Sequence, residues 1–372
     1  MSDFRYPHRI TRLRELLPTT DAPVAAMLVT QIENVRYLTG FSGSNGVVIV
    51  TADKAIFITD GRYKLQAATE VTGFEQVIPP VGTRMEDVNV ETIKGIGVKT
   101  VGIESGSMVV NSYERLNKGF EGNVTLISRS DILDTLRRIK DAEEIAATRR
   151  AIAAADACFA FIQQVLKPGM REVDLAWEIE VFLRRGQGAS KLAFDTIVGS
   201  GPNSALIHGH PGERVIGSSG ETEFLLCDYG CELDGYNSDI TRTFFVGGEP
   251  TARQKEIYDA VLRAELTSIE AIKPGANGKD IDKIARDILT EAGLGETFAH
   301  SLGHGLGRVV HDHPALGPTS ELVLQAGMVL TVEPGAYIAD FGGVRIEDDV
   351  LVTETGYEIL TQSSRSPIVL LR

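Results

Sequence analysis

EFLLCDYGCELDGYNSDITRTFFV, residues 223–246, reads as a β-hairpin, because both ends are apolar and β-branched and Asp234-Gly235 sits where a tight turn is needed. Asp228 and Asp239 lie on opposite arms, and their numbers sum to an odd value. Any hairpin with an even loop length then directs both carboxylates to the same face of the ribbon. Leu225, Leu226, Ile240 and Phe244 mark the ribbon as interior. Like charges held there repel and raise a pKa unless cations neutralise them.

A second ribbon, MVLTVEPGAYIADFGGVRIEDDVLVT (328–353), carries Glu333 and Glu347 on apolar strands around a turn at Asp340 to Gly343. These two numbers sum to an even value, so a shared face requires an odd loop or a β-bulge. Glu347-Asp348-Asp349 is a charge run, but it is embedded between Val344, Ile346 and Val350-Leu351-Val352; a strand that buries one face holds one parity of these acids inside. Arg345 shares the parity of Glu347 and sets a cation beside it. Between the ribbons, HSLGHGLGRVVHDHP (300–314) has three glycines that disfavour a regular helix and let His300, His304 and His311 approach a ligand. Four carboxylates and a histidine are costly in an interior without compensating charge. Two divalent ions match that charge, whereas a single zinc usually recruits fewer carboxylates and more histidines or cysteines.

Working outward, Lys167-Pro168-Gly169 ends one helix, and Lys273-Pro274-Gly275 repeats the stop 106 residues later. The acids repeat at similar distances: 105 residues separate Asp228 from Glu333, and 108 separate Asp239 from Glu347. This is the pattern of two related halves, each giving one carboxylate pair to a shared centre. Upstream, apolar runs at 25–30, 46–51 and 55–59 alternate with helix-like segments such as 62–70, an α/β pattern. A long helical stretch starts at 131, which sets the expected division at 1–130 and 131–372, an α/β domain followed by an α+β domain.

The composition narrows the function classes. Among 372 residues, 37 are basic and 51 acidic, and the formal charge of −14 opposes general binding to nucleic acid or anionic lipid. A small molecule or peptide is the expected ligand. The opening is charged at Asp3, Arg5 and Arg9, and no stretch reaches transmembrane length, so the cytoplasm is the expected location. Cys158, Cys227 and Cys231 have no metal or redox spacing and read as small buried hydrophobes.

The ordered segments IVGSGPNSALIHG (197–209), DYGCELDGYNSDITRTF (228–244), HSLGHGLGRVVHD (300–312), TVEPGAY (331–337) and GGVRIEDD (342–349) resemble the pita-bread metallopeptidases of the aminopeptidase P and prolidase family. The resemblance implies a small N-terminal domain and a catalytic domain of two pseudo-symmetric halves. It implies that Asp228, Asp239, His304, Glu333 and Glu347 bind two divalent ions, manganese first with cobalt or zinc as alternatives, and that Asp239 and Glu347 bridge them. His208, His300, His311 and Arg345 match substrate positions; Glu333 matches the proton carrier, and His208 and His311 the groups acting on the transition state. Ile207 stands where many relatives have proline, and His313 receives no role. The reaction implied is hydrolysis of the bond before proline in a peptide. Segments 34–51 and 58–70 resemble aminopeptidase P more than typical prolidases, so Xaa-Pro aminopeptidase is the first expectation and Xaa-Pro dipeptidase the alternative. A homodimer is implied as well. A non-catalytic member of the fold is disfavoured, since all five ligand positions are intact.

Overall fold

The computed structural model describes residues 5–19 and 22–371, so Asp3 of the charged opening lies outside the described residues. The chain forms two compact units, Met1–Arg137 and Arg138–Arg372. The division falls at the end of the helix Ser130–Arg138, where the sequence reading placed it at the start. The helical stretch is cut after this helix because Asp141 caps a new one, Ala142–Val165. Its carboxylate accepts from the Glu144 amide at 2.9 Å, while the Glu144 carboxylate accepts from the Asp141 amide at 3.1 Å.

The first unit is a six-stranded mixed sheet in the order Glu75–Val77, Ala55–Ile58, Val47–Thr51, Ala26–Val29, Thr100–Ile103, Thr125–Ser128. Its inner strands are almost wholly apolar and buried because both faces are covered. Met27 and Val29 pack with Ile10, Leu13 and Leu133, while Ala26 and Leu28 pack with Ile93, Leu116 and Phe120. This is the α/β organisation read from the alternating segments.

The second unit is built on the two ribbons. Strands Glu223–Tyr229 and Ile240–Val246 pair from Ile240↔Tyr229 to Val246↔Glu223, and the same register continues through Glu232↔Asn237 and Leu233↔Tyr236. The turn is Asp234-Gly235, with φ of 53° and 80°, the two-residue form with both residues left-handed that Asp-Gly favours. Leu225 and Phe244 face the helices Ala142–Val165 and Glu172–Val181, whereas Phe224 and Phe245 face the core that contains Ala252–Glu270 and Gly278–Glu291.

The internal echo is structural. Gly169 and Gly275 adopt φ of 86° and 87°, and each Lys-Pro-Gly stop is followed by a lone antiparallel bridge, Arg171↔Val215 and Asn277↔Val323, at the head of the next helix. One half packs its helix pair on the sheet containing 197–200, 223–229 and 240–246; the other packs its pair on the sheet containing 303–305, 329–332 and 348–352. No helix among the described residues is long and apolar enough to cross a membrane. The three cysteines are buried and unpaired.

Candidate metal centre

The strand register decides which carboxylates meet. Asp228 pairs with Thr241, so Asp239, two residues before Thr241 and just outside the regular strand, lies on the same face. In the other ribbon, Val332↔Asp348 and Gly335↔Arg345 continue one register around a three-residue turn, Ala339-Asp340-Phe341. That odd loop sets Glu333 opposite Glu347, as a shared face requires. His304 reaches the same space from the short strand Gly303–Gly305. A Cβ on Gly303 would lie 2.0 Å from the Thr331 carbonyl oxygen, and one on Gly305 would lie 2.4 Å from that of His313, so only glycines let this strand pass.

Asp239, His304 and Glu347 each offer a ligand atom within 4.8 Å of the others. His304 Nε2 lies 3.6 Å from Asp239 Oδ2 and 3.4 Å from Glu333 Oε1. Its Nδ1 is 3.1 Å from the Gly305 carbonyl, which can only accept, so the proton sits on Nδ1 and the Nε2 lone pair faces the acids. Burial, then the neighbouring His311, push His304 down to about 4 and keep it neutral. Burial raises Asp228, and raises Asp239 and Glu347 well above the usual carboxylate range, with the other acids adding to the shift in the latter two; Glu333 is pushed up to about 8, also chiefly by burial.

Asp228 Oδ1 and Glu347 Oε1 are buried without a hydrogen-bond partner among the described residues. Their other oxygens are fixed: Arg345 Nη2 donates to Asp228 Oδ2 at 2.5 Å, and Thr241 Oγ1 to Glu347 Oε2 at 2.7 Å. Buried, unpartnered carboxylate oxygens around one neutral imidazole form a donor set that fits oxygen-seeking divalent cations.

All nine candidate residues line one cavity of about 490 Å3, whose apolar wall includes Phe194, Ile197 and Ile207. His208 and His311 are exposed to it. The His311 ring stands edge-on to His304 with centroids 4.4 Å apart. His300 is held differently. Its Nδ1 is 2.8 Å from the Ser301 carbonyl, so Nε2 accepts from Tyr337 Oη at 2.9 Å, and Tyr337 Oη in turn accepts from Arg345 Nη1 at 2.8 Å. Arg345, expected at the substrate, is thus anchored through Asp228, Tyr337 and Thr241, the last at 3.0 Å from its Nε.

Sequence reasoning missed Tyr337, Thr241 and Asp349. Tyr337 shares the parity of Arg345's partner Gly335, and that signal was available. The one-parity expectation for the charge run is corrected: Asp348 and Asp349 are both buried, because this strand is covered on both faces. Asp348 is neutralised by Arg242 at 2.7 Å and by Arg365; Asp349 accepts from the Asp239 amide at 3.3 Å.

Residues 146–354 match the pattern of Metallopeptidase family M24, and residues 9–139 match the Creatinase/Prolidase N-terminal domain. The chain belongs to metallopeptidase family M24 and is an enzyme of its aminopeptidase P and prolidase branch, with the two-domain pita-bread architecture. It is 39% identical over 362 residues to an Xaa-Pro dipeptidase of Pyrococcus furiosus, covering 95% of this chain and 98% of that one. The solved Xaa-Pro dipeptidase from Bacillus anthracis superposes with a TM-score of 0.92 at 40% identity, over 98% of this chain and all of the other (100%). An X-Pro aminopeptidase from Thermotoga maritima superposes with a TM-score of 0.85 at 35% identity, over 96% and 100% of the two chains.

Proposed function

We propose that the chain is an Xaa-Pro dipeptidase that works with two divalent ions held by Asp228, Asp239, His304, Glu333 and Glu347. The observation that carries this reading is the near-complete match to two Xaa-Pro dipeptidases at about two-fifths identity. The first expectation, an aminopeptidase, rested on segments 34–51 and 58–70. Arg36 and Arg62 are occupied locally: Arg36 donates to the Gly43 carbonyl at 3.2 Å, and Arg62 pairs with Asp60 at 2.9 Å. The aminopeptidase match is also the weaker of the two structural likenesses.

The ions, when bound, polarise the scissile carbonyl and acidify water near neutral pH. Manganese is the first choice for a set of four carboxylates and one imidazole, with cobalt and zinc as alternatives. Glu333 takes the proton from the attacking water and delivers it to the leaving proline nitrogen. His311 and His208 donate to the oxygen that gains charge in the transition state. His300 and Arg345, tied through Tyr337, close the wall against which the substrate lies.

The test is kcat/KM for one Xaa-Pro dipeptide and for the same sequence lengthened by one and two residues, with manganese saturating. A dipeptidase loses most of its activity on lengthening, because a group kept for the proline carboxylate is left poorly paired. Equal or better cleavage of the longer peptides restores the aminopeptidase reading.

A further inference from the structure

The loop that carries His208 has almost no regular structure to hold it. Between the strand Ile197–Ser200 and the strand starting at Glu223 the chain makes one short 3-10 turn, Gly201–Ala205, and then runs largely exposed past Leu206, His208 and His210. Yet Ile207, His208, Gly209 and His210 line the active cavity. Something must fix this excursion for His208 to meet a substrate in one geometry.

That task falls to Glu172, a fully buried carboxylate in the first turn of the helix Glu172–Val181. Oε1 accepts from the Ser200 amide at 2.7 Å and from Ser200 Oγ at 2.9 Å, at the entry to the loop. Oε2 accepts from the Gly212 amide at 3.2 Å, at its exit. Asn203 Nδ2 lies between them, 3.2 Å from Oε1 and 3.1 Å from Oε2. Backbone bonds from Glu172 to the Arg214 carbonyl (3.0 Å) and from Val173 to the Gly212 carbonyl (3.1 Å) tie the same helix end to the loop exit. The helix N-terminus favours the negative charge, and one carboxylate closes the base of the loop.

We infer that Glu172 is a positioning residue for catalysis, holding both ends of the 200–212 loop so that His208 faces the substrate. This rests on the role given to His208 above. Glu172 itself lies outside the set of cavity-lining residues and touches none of the metal-binding acids through the bonds described. Its effect should therefore pass through the loop alone. Glu172→Gln replaces one accepting oxygen with a donor that faces donors, and so releases one end of the loop.

The experiment is a double-mutant cycle on the manganese-loaded enzyme with an Xaa-Pro dipeptide, using E172Q, H208A and the double variant, with bound metal counted in each. E172Q should lower kcat/KM by roughly tenfold to a hundredfold, as expected when a reacting group is misplaced by about an ångström. Metal content should stay at the parent level, and the double variant should be no worse than H208A alone. Additive losses, or loss of metal in E172Q, would overturn the assignment to Glu172 while leaving His208 in place. Full activity in H208A would remove the role of His208 and this inference with it. Should E172Q fail to fold, N203A removes the two-pronged amide contact and keeps the carboxylate. It must show the same coupling to H208A, and additivity there overturns the proposal equally.

Discussion

Glu333 stands opposite Glu347 in one antiparallel register that runs unbroken from Val332↔Asp348 to Gly335↔Arg345, although regular pairing lapses at the two glutamates themselves. The lapse frees their backbones for other partners: the Glu333 amide donates to the Leu302 carbonyl at 2.8 Å and the Glu347 amide to the Thr241 carbonyl at 3.2 Å. Each glutamate is thereby tied to a neighbouring candidate segment, one preceding His304 and one carrying Asp239. The centre is a junction of strand ends, and its response to pH, charge and metal follows from that crowding.

The metal-free protein should lose stability as pH rises. Glu333 is raised from 4.5 to about 8 by burial, and Asp239 and Glu347 are raised in the same direction. The stabilisation from a raised carboxylate is complete below its unfolded value and is lost as pH climbs through its folded one, at a slope of about 1.4 kcal/mol per pH unit for each group. Thermal melts with and without manganese should diverge between about pH 5 and pH 8, because ions replace the protons. A constant gap across that range contradicts this account.

Asp239→Asn should bind fewer ions and lose turnover by more than about a hundredfold, since even an outer-shell change at a metal site costs tenfold to a hundredfold. The protein should remain folded, because the isosteric amide removes a charge from a crowded site. Metal counting with activity checks it. Two bound ions and full activity would remove Asp239 from the ligand set.

Arg345→Met should destabilise the metal-free protein by about 3 kcal/mol or more, read as a fall in the urea midpoint. The substitution strips Asp228 Oδ2 of its buried cation and leaves Tyr337 Oη without its donor. Adding manganese should recover part of the loss by neutralising Asp228. An unchanged midpoint would show that the pair is not formed in solution.

His311→Ala should retain its ions and lose kcat more than it raises KM, the signature of an interaction that strengthens at the transition state. The ring lies edge-on to His304. Loss of metal in place of a kinetic change would move His311 into the ligand shell.

Local chemistry made much of the fold and the candidate site legible. The Asp234-Gly235 turn, the apolar strands on either side, the Lys-Pro-Gly stops and the matched acid spacings all leave marks at short range in the chain. Hydrophobic period and turn preference operate over a few residues, so a reader of sequence can recover them. The even-sum parity of Glu333 and Glu347 even required the odd loop that Asp340 and its neighbours form. The parity rule failed at Asp348 and Asp349 because it assumed one wet face, and whether a strand is covered twice depends on elements far away in the chain.

By itself, the sequence determined the two-domain plan, the pairing of acids on two ribbons and the family to which the chain belongs. Only the tertiary structure decided that Arg345 is held by Asp228, Thr241 and Tyr337, that His304 presents Nε2, and that Glu172 grips both ends of the His208 loop. Apart from the Arg345–Tyr337 contact and the His304–Gly305 contact, those relations join residues tens to more than a hundred positions apart. They depend on hydrogen-bond geometry at the scale of an ångström, which no spacing or periodicity encodes.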